Sequence, residues 1–297
     1  MKNVVAVLCL ASFASTVVAQ QRGPVDAGSL RHHFPSHEGV IVADPAGDAA
    51  VVFRAHASNL TYHTGGQVIP SAHVVFIFWG PSFATGGSDA AYASTLQAFR
   101  NQFGTTGEYN VITQYYQIIG GVQTFISQTS LGGGTADMFD TTTPPTNVTD
   151  AIVQSEVNKY LSTHAFNAST IYEVVIPRTS YSSDGNSTSC GGPSLAYCAY
   201  HGFFTSGSNQ VKYSIEPYPS CSGCSLSGWS DVQNQEHFVC HETREAVTDQ
   251  QLNAWFDRRG SEADDKCAWS PTPFIGTGGY SYQYEWSNSA GACVQTQ

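Results

Sequence analysis

The sequence predicts an α/β domain in which crossover helices cover a mixed sheet and disulfides pin the C-terminal part. The nearly continuous apolar run His73–Trp79 ends at Gly80-Pro81, which is typical of a buried strand. Apolar residues at helical spacing from Tyr92 to Phe103 follow it and indicate a helix that crosses over this strand. Seven of the 8 cysteines lie between residues 190 and 293, where they can form disulfides.

The composition limits the classes of protein that this chain can belong to. It has 297 residues, of which 41% are hydrophobic, enough to bury a sizeable core and to exclude wholesale disorder. Its formal net charge is -11, with only 12% charged residues. An acidic chain has no basic field for holding phosphates, so we expect no nucleic-acid partner.

The N-terminal end has the features of a secretory signal peptide over residues 1–19. Lys2 precedes an apolar stretch, and Val17-Val18-Ala19 places small residues before a cleavage site. The stretch is shorter than the roughly 20 apolar residues of a membrane helix, so we expect a secreted protein without a membrane span. Four glycosylation acceptor sequences fit export and predict a glycoprotein: Asn59, Asn147, Asn167 and Asn186.

Beyond the signal peptide, the pattern predicts a loosely ordered lead-in over 20–58 and a single domain over 59–297. After the helix that ends near 103, the expected elements are a short helix over 109–117, a strand over 122–129, a loop over 131–145, a helix capped by Thr149-Asp150, a strand over 171–176, strands over 199–204 and 211–218, a helix over about 231–249 and a last strand near 282–286. No repeat or composition break divides this range.

The cysteines predict a disulfide framework with one thiol left over. Local spacing favours three pairs, Cys190 with Cys198, Cys221 with Cys224, and Cys267 with Cys293, and leaves Cys240 unpaired. Cys221-Ser-Gly-Cys224 also fits half a zinc knuckle or a redox pair. An oxidising compartment and the lack of a second such motif favour a disulfide.

The chemically informative residues lie in the predicted helix over 231–249. His241 and Glu245 are four residues apart, so their side chains share one helix face and can bind one metal ion. The pattern resembles the HExxH helix of zinc peptidases with a carboxylate as second ligand, and Glu242 then stands where the general base does. We expect zinc, with calcium as the second choice. A third ligand must come from four acidic residues further along the chain: Asp257, Glu262, Asp264 and Asp265.

The same residues also fit a solvated helix face with ion pairs four residues apart. Against this, Ala246 and Val247 next to Glu245 give the helix less surface character. If His241 and Glu245 are buried, leaving them without a cation would be costly.

Several segments, in this order, resemble the EXORDIUM or phosphate-induced family of secreted proteins: Leu60–Gly66, Val74–Gly80, Tyr109–Gln117, Tyr197–Gly202, His241–Asp257, Glu262–Cys267 and Tyr282–Cys293. The resemblance implies an extracellular or cell-wall location and, for plant members, a role linked to growth. It implies no settled catalytic activity. Asp265 matches the acid just before the cysteine in the family's loop, which ranks it first as third ligand.

Three functions therefore stay open from the sequence. The first is an EXORDIUM-like extracellular or cell-wall protein with a metal site at His241, Glu245 and Asp265. The second is a zinc metallopeptidase with zincin-like layering that uses Glu242 as general base. The third is a glycan- or wall-binding module without chemistry. All three predict an extracellular protein or a cell-wall polysaccharide as partner, and we expect a monomer.

Overall fold

The structure is a computed structural model that describes residues 30–35, 58–133, 136–185 and 187–297. The predicted signal peptide and most of the predicted lead-in lie outside these residues. Among the helices that the structure describes, none combines the length and the apolar character that a membrane crossing requires.

Four helices and two groups of strands make up the described fold. The helices are α1 (Ala90–Phe103), α2 (Gly107–Asn110), α3 (Asp150–Leu161) and α4 (Asp231–Thr248). The main sheet contains β1 (Leu30–His33), β3 (His73–Trp79), β6 (Met138–Asp140), β8 (Thr170–Val175), β11 (Ala199–Ser206) and β12 (Asn209–Glu216). The shorter strands are β2 (Thr61–Tyr62), β4 (Tyr116–Ile119), β5 (Val122–Phe125), β7 (Asn147–Thr149), β9 (Tyr181–Asp184), β10 (Ser187–Thr188), β13 (Trp255–Phe256), β14 (Phe274–Ile275), β15 (Ser281–Tyr282), β16 (Glu285–Ser287) and β17 (Ala292–Val294).

The main sheet is mixed, as predicted. Its strand order is β1-β11-β12-β8-β3-β6. The strands β12, β8, β3 and β6 run parallel, while β11 is antiparallel to both of its neighbours, β12 and β1. Parallel neighbours need crossover connections, and α1 and α3 lie in two of these.

Helices cover both faces of this sheet. Val75 of β3 packs with Val153 of α3 in one apolar cluster. Phe76, the next residue of β3, belongs to the cluster on the opposite face, together with Leu96 of α1 and Val239 of α4. This alternation explains why β3 is apolar throughout, since both of its faces are buried.

The helix α4 lies inside the molecule although much of its sequence is polar. It begins at Ser230, whose side chain forms a capping box with Gln233, and every residue from Asn234 to Thr248 is buried. The alternative of a solvated, ion-paired helix face is therefore wrong. The candidate ligands lie on a buried helix instead.

Two local predictions differ from the structure. The predicted helix over 109–117 is α-helical only to Asn110 and continues as a 3-10 helix over Val111–Gln114, and Tyr116 already begins a hairpin of β4 and β5. Gly120 and Gly121 close this hairpin at φ of 58° and 80°, a conformation that favours glycine in a tight turn. Part of the predicted loop over 131–145 is the short strand β6, which the pairing with β3 stabilises.

The predicted lead-in is also corrected where the structure describes it. Residues Leu30–His33 form an ordered strand that pairs with β11 over its whole length. Sequence patterning could not predict this strand, because its hydrogen-bond partner lies far away along the chain.

The disulfides in the structure confirm one predicted pair and correct two. Cys267 bonds to Cys293 as predicted, and Cys240 is free and buried. The other bonds join Cys190 to Cys221 and Cys198 to Cys224, with Cα separations of 5.6 and 5.5 Å. The turn that carries Cys221 and Cys224 lies against the segment with the other two cysteines, so cross-pairing replaces local pairing. Both cysteines of the CxxC motif are thus in separate disulfides, and the zinc-knuckle and redox interpretations are wrong.

Candidate metal centre

The structure brings the three predicted metal ligands together. On α4, His241 Nε2 lies 3.1 Å from Glu245 Oε2, one helical turn further along. Asp265, in the loop that follows β13, places its Oδ1 3.9 Å from the same nitrogen. One ligand atom from each residue lies within 4.8 Å of the other two. His241 and Glu245 are buried, whereas the Asp265 side chain is 24% exposed and links the site to the surface.

Gln283 fixes the orientation of the His241 ring. Its Oε1 lies 3.1 Å from His241 Nδ1, and its Nε2 donates to the carbonyl oxygen of Asp264 at 2.7 Å. Because the amide oxygen can only accept, the proton of neutral His241 belongs on Nδ1. This leaves the lone pair of Nε2 directed at Glu245 and Asp265, as metal-ligating histidines require.

Backbone amides hold the two carboxylates in the same way. Glu245 Oε1 accepts from the Asp265 N–H at 3.0 Å, and Asp265 Oδ2 accepts from the Glu262 N–H at 3.3 Å. Each carboxylate therefore keeps its other oxygen facing His241. The loop and the helix position each other's ligands.

The other three acidic candidates have cationic partners elsewhere. Asp257 pairs with Lys266 at 3.4 Å, and Asp264 pairs with Arg244. Glu262 lies 3.5 Å from the Nε of Arg31. Of the four predicted candidates, Asp265 is the one whose carboxylate faces both His241 and Glu245.

His201 of β11 belongs to the site, although sequence reasoning did not select it as a ligand. Its Nε2 lies 3.3 Å from Glu245 Oε2 and 3.3 Å from Glu262 Oε2. With Glu242 and Glu245 it forms a second group of ligand atoms within 4.8 Å. The sequence contains one signal for His201. Side chains alternate between the two faces of β11, so His201 lies on the face opposite to that of Tyr200. Only the fold shows that the face of β11 that carries His201 packs against α4.

Glu242 is the most unusual residue of the site. Its side chain is fully buried, and neither of its oxygens has a hydrogen-bond partner among the described residues. Burial, followed by the charges of Glu216 and Glu245, raises the pKa of its carboxyl well above the usual range. A nearby divalent cation would lower that pKa and stabilise the carboxylate form.

In the metal-free protein, the charges of His241 and Glu245 next to Glu242 stabilise each other. Burial on its own would lower the pKa of His241, but the Glu245 carboxylate outweighs it and raises the pKa to about 9. Burial would raise the pKa of Glu245, but His241 and His201 lower it well below its usual range. Without a metal, the protonated imidazole of His241 thus supplies the positive charge beside Glu245. A metal ion would displace that proton.

The donor set fits zinc better than calcium. Zinc binds imidazole nitrogen and carboxylate oxygen in four-coordinate sites, and the site offers His241 and His201 among carboxylates. Calcium prefers six to eight oxygen ligands, which leaves the imidazole nitrogens without a role.

Comparison of the chain with protein-family models, with curated proteins and with solved structures finds no match. The resemblance to the EXORDIUM family therefore stays a prediction. The function has to be argued from the site itself.

Proposed function

We propose that this protein is an extracellular, zinc-dependent peptidase with EXORDIUM-like features, and that His241, Glu245 and Asp265 hold the metal. One observation supports this most strongly. The three ligand atoms converge within 4.8 Å beside Glu242, a buried carboxyl group without a hydrogen-bond partner among the described residues. A structural role would leave Glu242 unexplained, because a buried acid without a partner costs stability.

The chemistry would follow from this arrangement. Zinc, when bound, polarises a carbonyl group and lowers the pKa of water. Glu242 would accept a proton from the attacking water, whose oxygen forms a bond to the peptide carbonyl carbon. The carbon–nitrogen bond then breaks, and Glu242 delivers the proton to the leaving nitrogen. Gln283 would keep His241 Nε2 directed at the metal throughout.

An extracellular location is compatible with the three disulfides and with the lack of a membrane-crossing helix among the described residues. The acceptor asparagines Asn59, Asn147 and Asn167 are exposed, as glycosylation requires. We infer that the substrate is another extracellular protein.

The test is metal content by mass spectrometry, followed by a screen of peptide libraries. We would compare protein secreted from a eukaryotic host as wild type, His241→Ala, Glu242→Gln and, as a control, His164→Ala at an exposed histidine. We expect about one zinc per chain in all variants except His241→Ala. Peptide cleavage should fall by a factor of about 100 or more in Glu242→Gln, which lacks the base but keeps the ligands.

Two outcomes would contradict this proposal. Wild-type protein without zinc, even after zinc is added back, would exclude the metal centre. Zinc binding with equal cleavage by wild type and Glu242→Gln would exclude Glu242 as general base.

A further inference from the structure

The strand β1 lies over the candidate metal centre as an added edge of the main sheet. Its four residues pair antiparallel with β11, with Leu30 opposite Gly202 and His33 opposite Ala199. The chain continues the contact beyond the strand. The Cys198 N–H donates to the His33 carbonyl oxygen at 2.7 Å, and Trp269 Nε1 donates to the Phe34 carbonyl oxygen at 2.8 Å.

This strand places the His33 side chain in the centre of the site. The His33 ring centroid lies 4.0 Å from that of His241, and the residue is 1% exposed. One nitrogen of His33, one of His241 and one oxygen of Glu242 lie within 4.8 Å of one another. His33 therefore lies next to both the candidate ligand and the candidate base.

Neither ring nitrogen of His33 has a hydrogen-bond partner among the described residues. A buried imidazole normally satisfies at least one nitrogen, so the His33 ring is expected to have a partner that the described residues do not provide. Imidazole nitrogen is also among the commonest zinc ligands. A zinc ion beside His241 would give the His33 ring the partner that it lacks.

The position of His33 matters for the chemistry proposed above. A catalytic zinc site has three protein ligands and leaves the fourth position open for water or substrate. That position must lie next to the base, because the base has to reach the attacking water. A position next to both His241 and Glu242 meets this condition, and a nitrogen of His33 lies there.

We propose that His33 is a fourth, displaceable zinc ligand and that β1 is a built-in inhibitory strand. This inference rests on the proposed function. With β1 in place, His33 occupies the metal position next to Glu242, and the wild-type chain cleaves peptides only while β1 is transiently detached. When β1 leaves, the edge of β11 becomes free, and an extended polypeptide substrate can pair with it in the same antiparallel way.

The contacts of β1 fit a strand that can detach. It has only four residues and pairs along one side, so few hydrogen bonds hold it. Its side-chain anchors are Leu30 in the apolar cluster of α3, Arg31 at 3.5 Å from Glu262, and His32 at 3.2 Å from Asp184. The contact of His32 with Asp184 joins two partly exposed side chains and contributes little, whereas Arg31 is 33% exposed and its partner Glu262 is buried.

The experiment uses the full secreted chain loaded with cobalt(II), whose visible absorption depends on its ligands and geometry. We would compare wild type with His33→Phe, which keeps an aromatic ring but removes both nitrogens. His164→Phe is the control, because His164 is an exposed histidine that stacks on Tyr160 of α3 and does not belong to β1. Azide is the probe for an open metal position.

We expect His33→Phe to bind one cobalt with a changed spectrum and to bind azide with an apparent Kd at least about tenfold lower than wild type. Wild type and His164→Phe should resist azide. Leu30→Asp offers a second route, since a buried charge in place of Leu30 should expel β1 and open the site with His33 intact.

The outcomes separate this inference from the proposed function. Identical spectra and equal azide binding in wild type and His33→Phe would overturn the role of His33 while leaving the metal centre intact. A chain that binds no cobalt in any variant would overturn both proposals.

Discussion

Gln283 supports the candidate metal centre through His241, whose Nδ1 lies 3.1 Å from its amide oxygen, and through the Asp264 carbonyl oxygen, to which its Nε2 donates. Such a residue orients a ligand without touching the metal, and its loss typically costs 10- to 100-fold in affinity. We predict that Gln283→Leu weakens zinc binding by about that factor, measured by competition with a chromogenic chelator.

Gln250 provides the control for this measurement. It is another buried glutamine, and its amide donates to the Val68 carbonyl oxygen. Gln250→Leu should keep wild-type zinc affinity. An equal loss in both variants would mean that general destabilisation, rather than the orientation of His241, sets the affinity.

The single free thiol of the described domain gives a second prediction at this scale. Cys240 is fully buried on α4, and burial raises the pKa of its thiol to about 12. Native secreted protein should therefore not react with a thiol reagent at pH 8. After unfolding without reductant, one thiol per chain should react, as mass spectrometry would show. More than one would contradict the three disulfides.

Residues of the site differ in how far the sequence could predict them. His241, Glu242 and Glu245 could be selected because their spacing within one helix fixes their geometry locally. His201 and His33 could not, because each reaches the site through strand pairing with distant residues. A buried, unpartnered side chain is a property of the fold, which no local pattern contains.

At the scale of elements, α4 combines a helical sequence with an interior position. Its predicted range of 231–249 agrees with Asp231–Thr248, because a capping box and helical periodicity are both local signals. The range of β3 also follows from a local signal, the nearly continuous apolar run that ends at Gly80-Pro81. The hairpin of β4 and β5, the strand β1 and two disulfides depend on tertiary contacts instead, and the sequence did not predict them.

The interior position of α4 gives a prediction for pH. Glu236 is 2% exposed, and burial, opposed by a hydrogen bond from the Ser281 N–H, raises the pKa of its carboxyl to about 7. A group with a raised folded-state pKa stabilises the fold fully below its unfolded pKa of about 4.3. This contribution is lost as the pH rises through 7.

We therefore predict that Glu236→Gln changes little at pH 4 but raises the free energy of unfolding by on the order of 2 kcal/mol at pH 8. Glutamine resembles the protonated acid and carries no charge at either pH. Urea unfolding of metal-free protein at both pH values is the measurement. An equal gain at both pH values would point to packing rather than ionisation.

At the scale of the whole molecule, the candidate metal would connect parts that are distant in sequence. His241 and Glu245 come from α4, and Asp265 comes from the loop after β13. Because the unfolded chain does not hold these residues together, zinc should bind the folded state preferentially. Metal binding then adds directly to the free energy of unfolding.

This linkage predicts the size of a thermal shift. Free zinc at 100 times its Kd stabilises a single-site protein by about 2.7 kcal/mol, which for a chain of this size corresponds to roughly 5–10 °C in Tm. We expect this shift when zinc replaces a chelator at pH 7.5, measured by calorimetry, and no such shift with calcium. His241→Ala should lose the shift, because its remaining carboxylates lack the imidazole nitrogen. A shift of the same size in His241→Ala would mean that zinc binds elsewhere on the molecule. A larger shift with calcium than with zinc would favour a site made of oxygen ligands alone, because imidazole nitrogens add nothing to calcium binding.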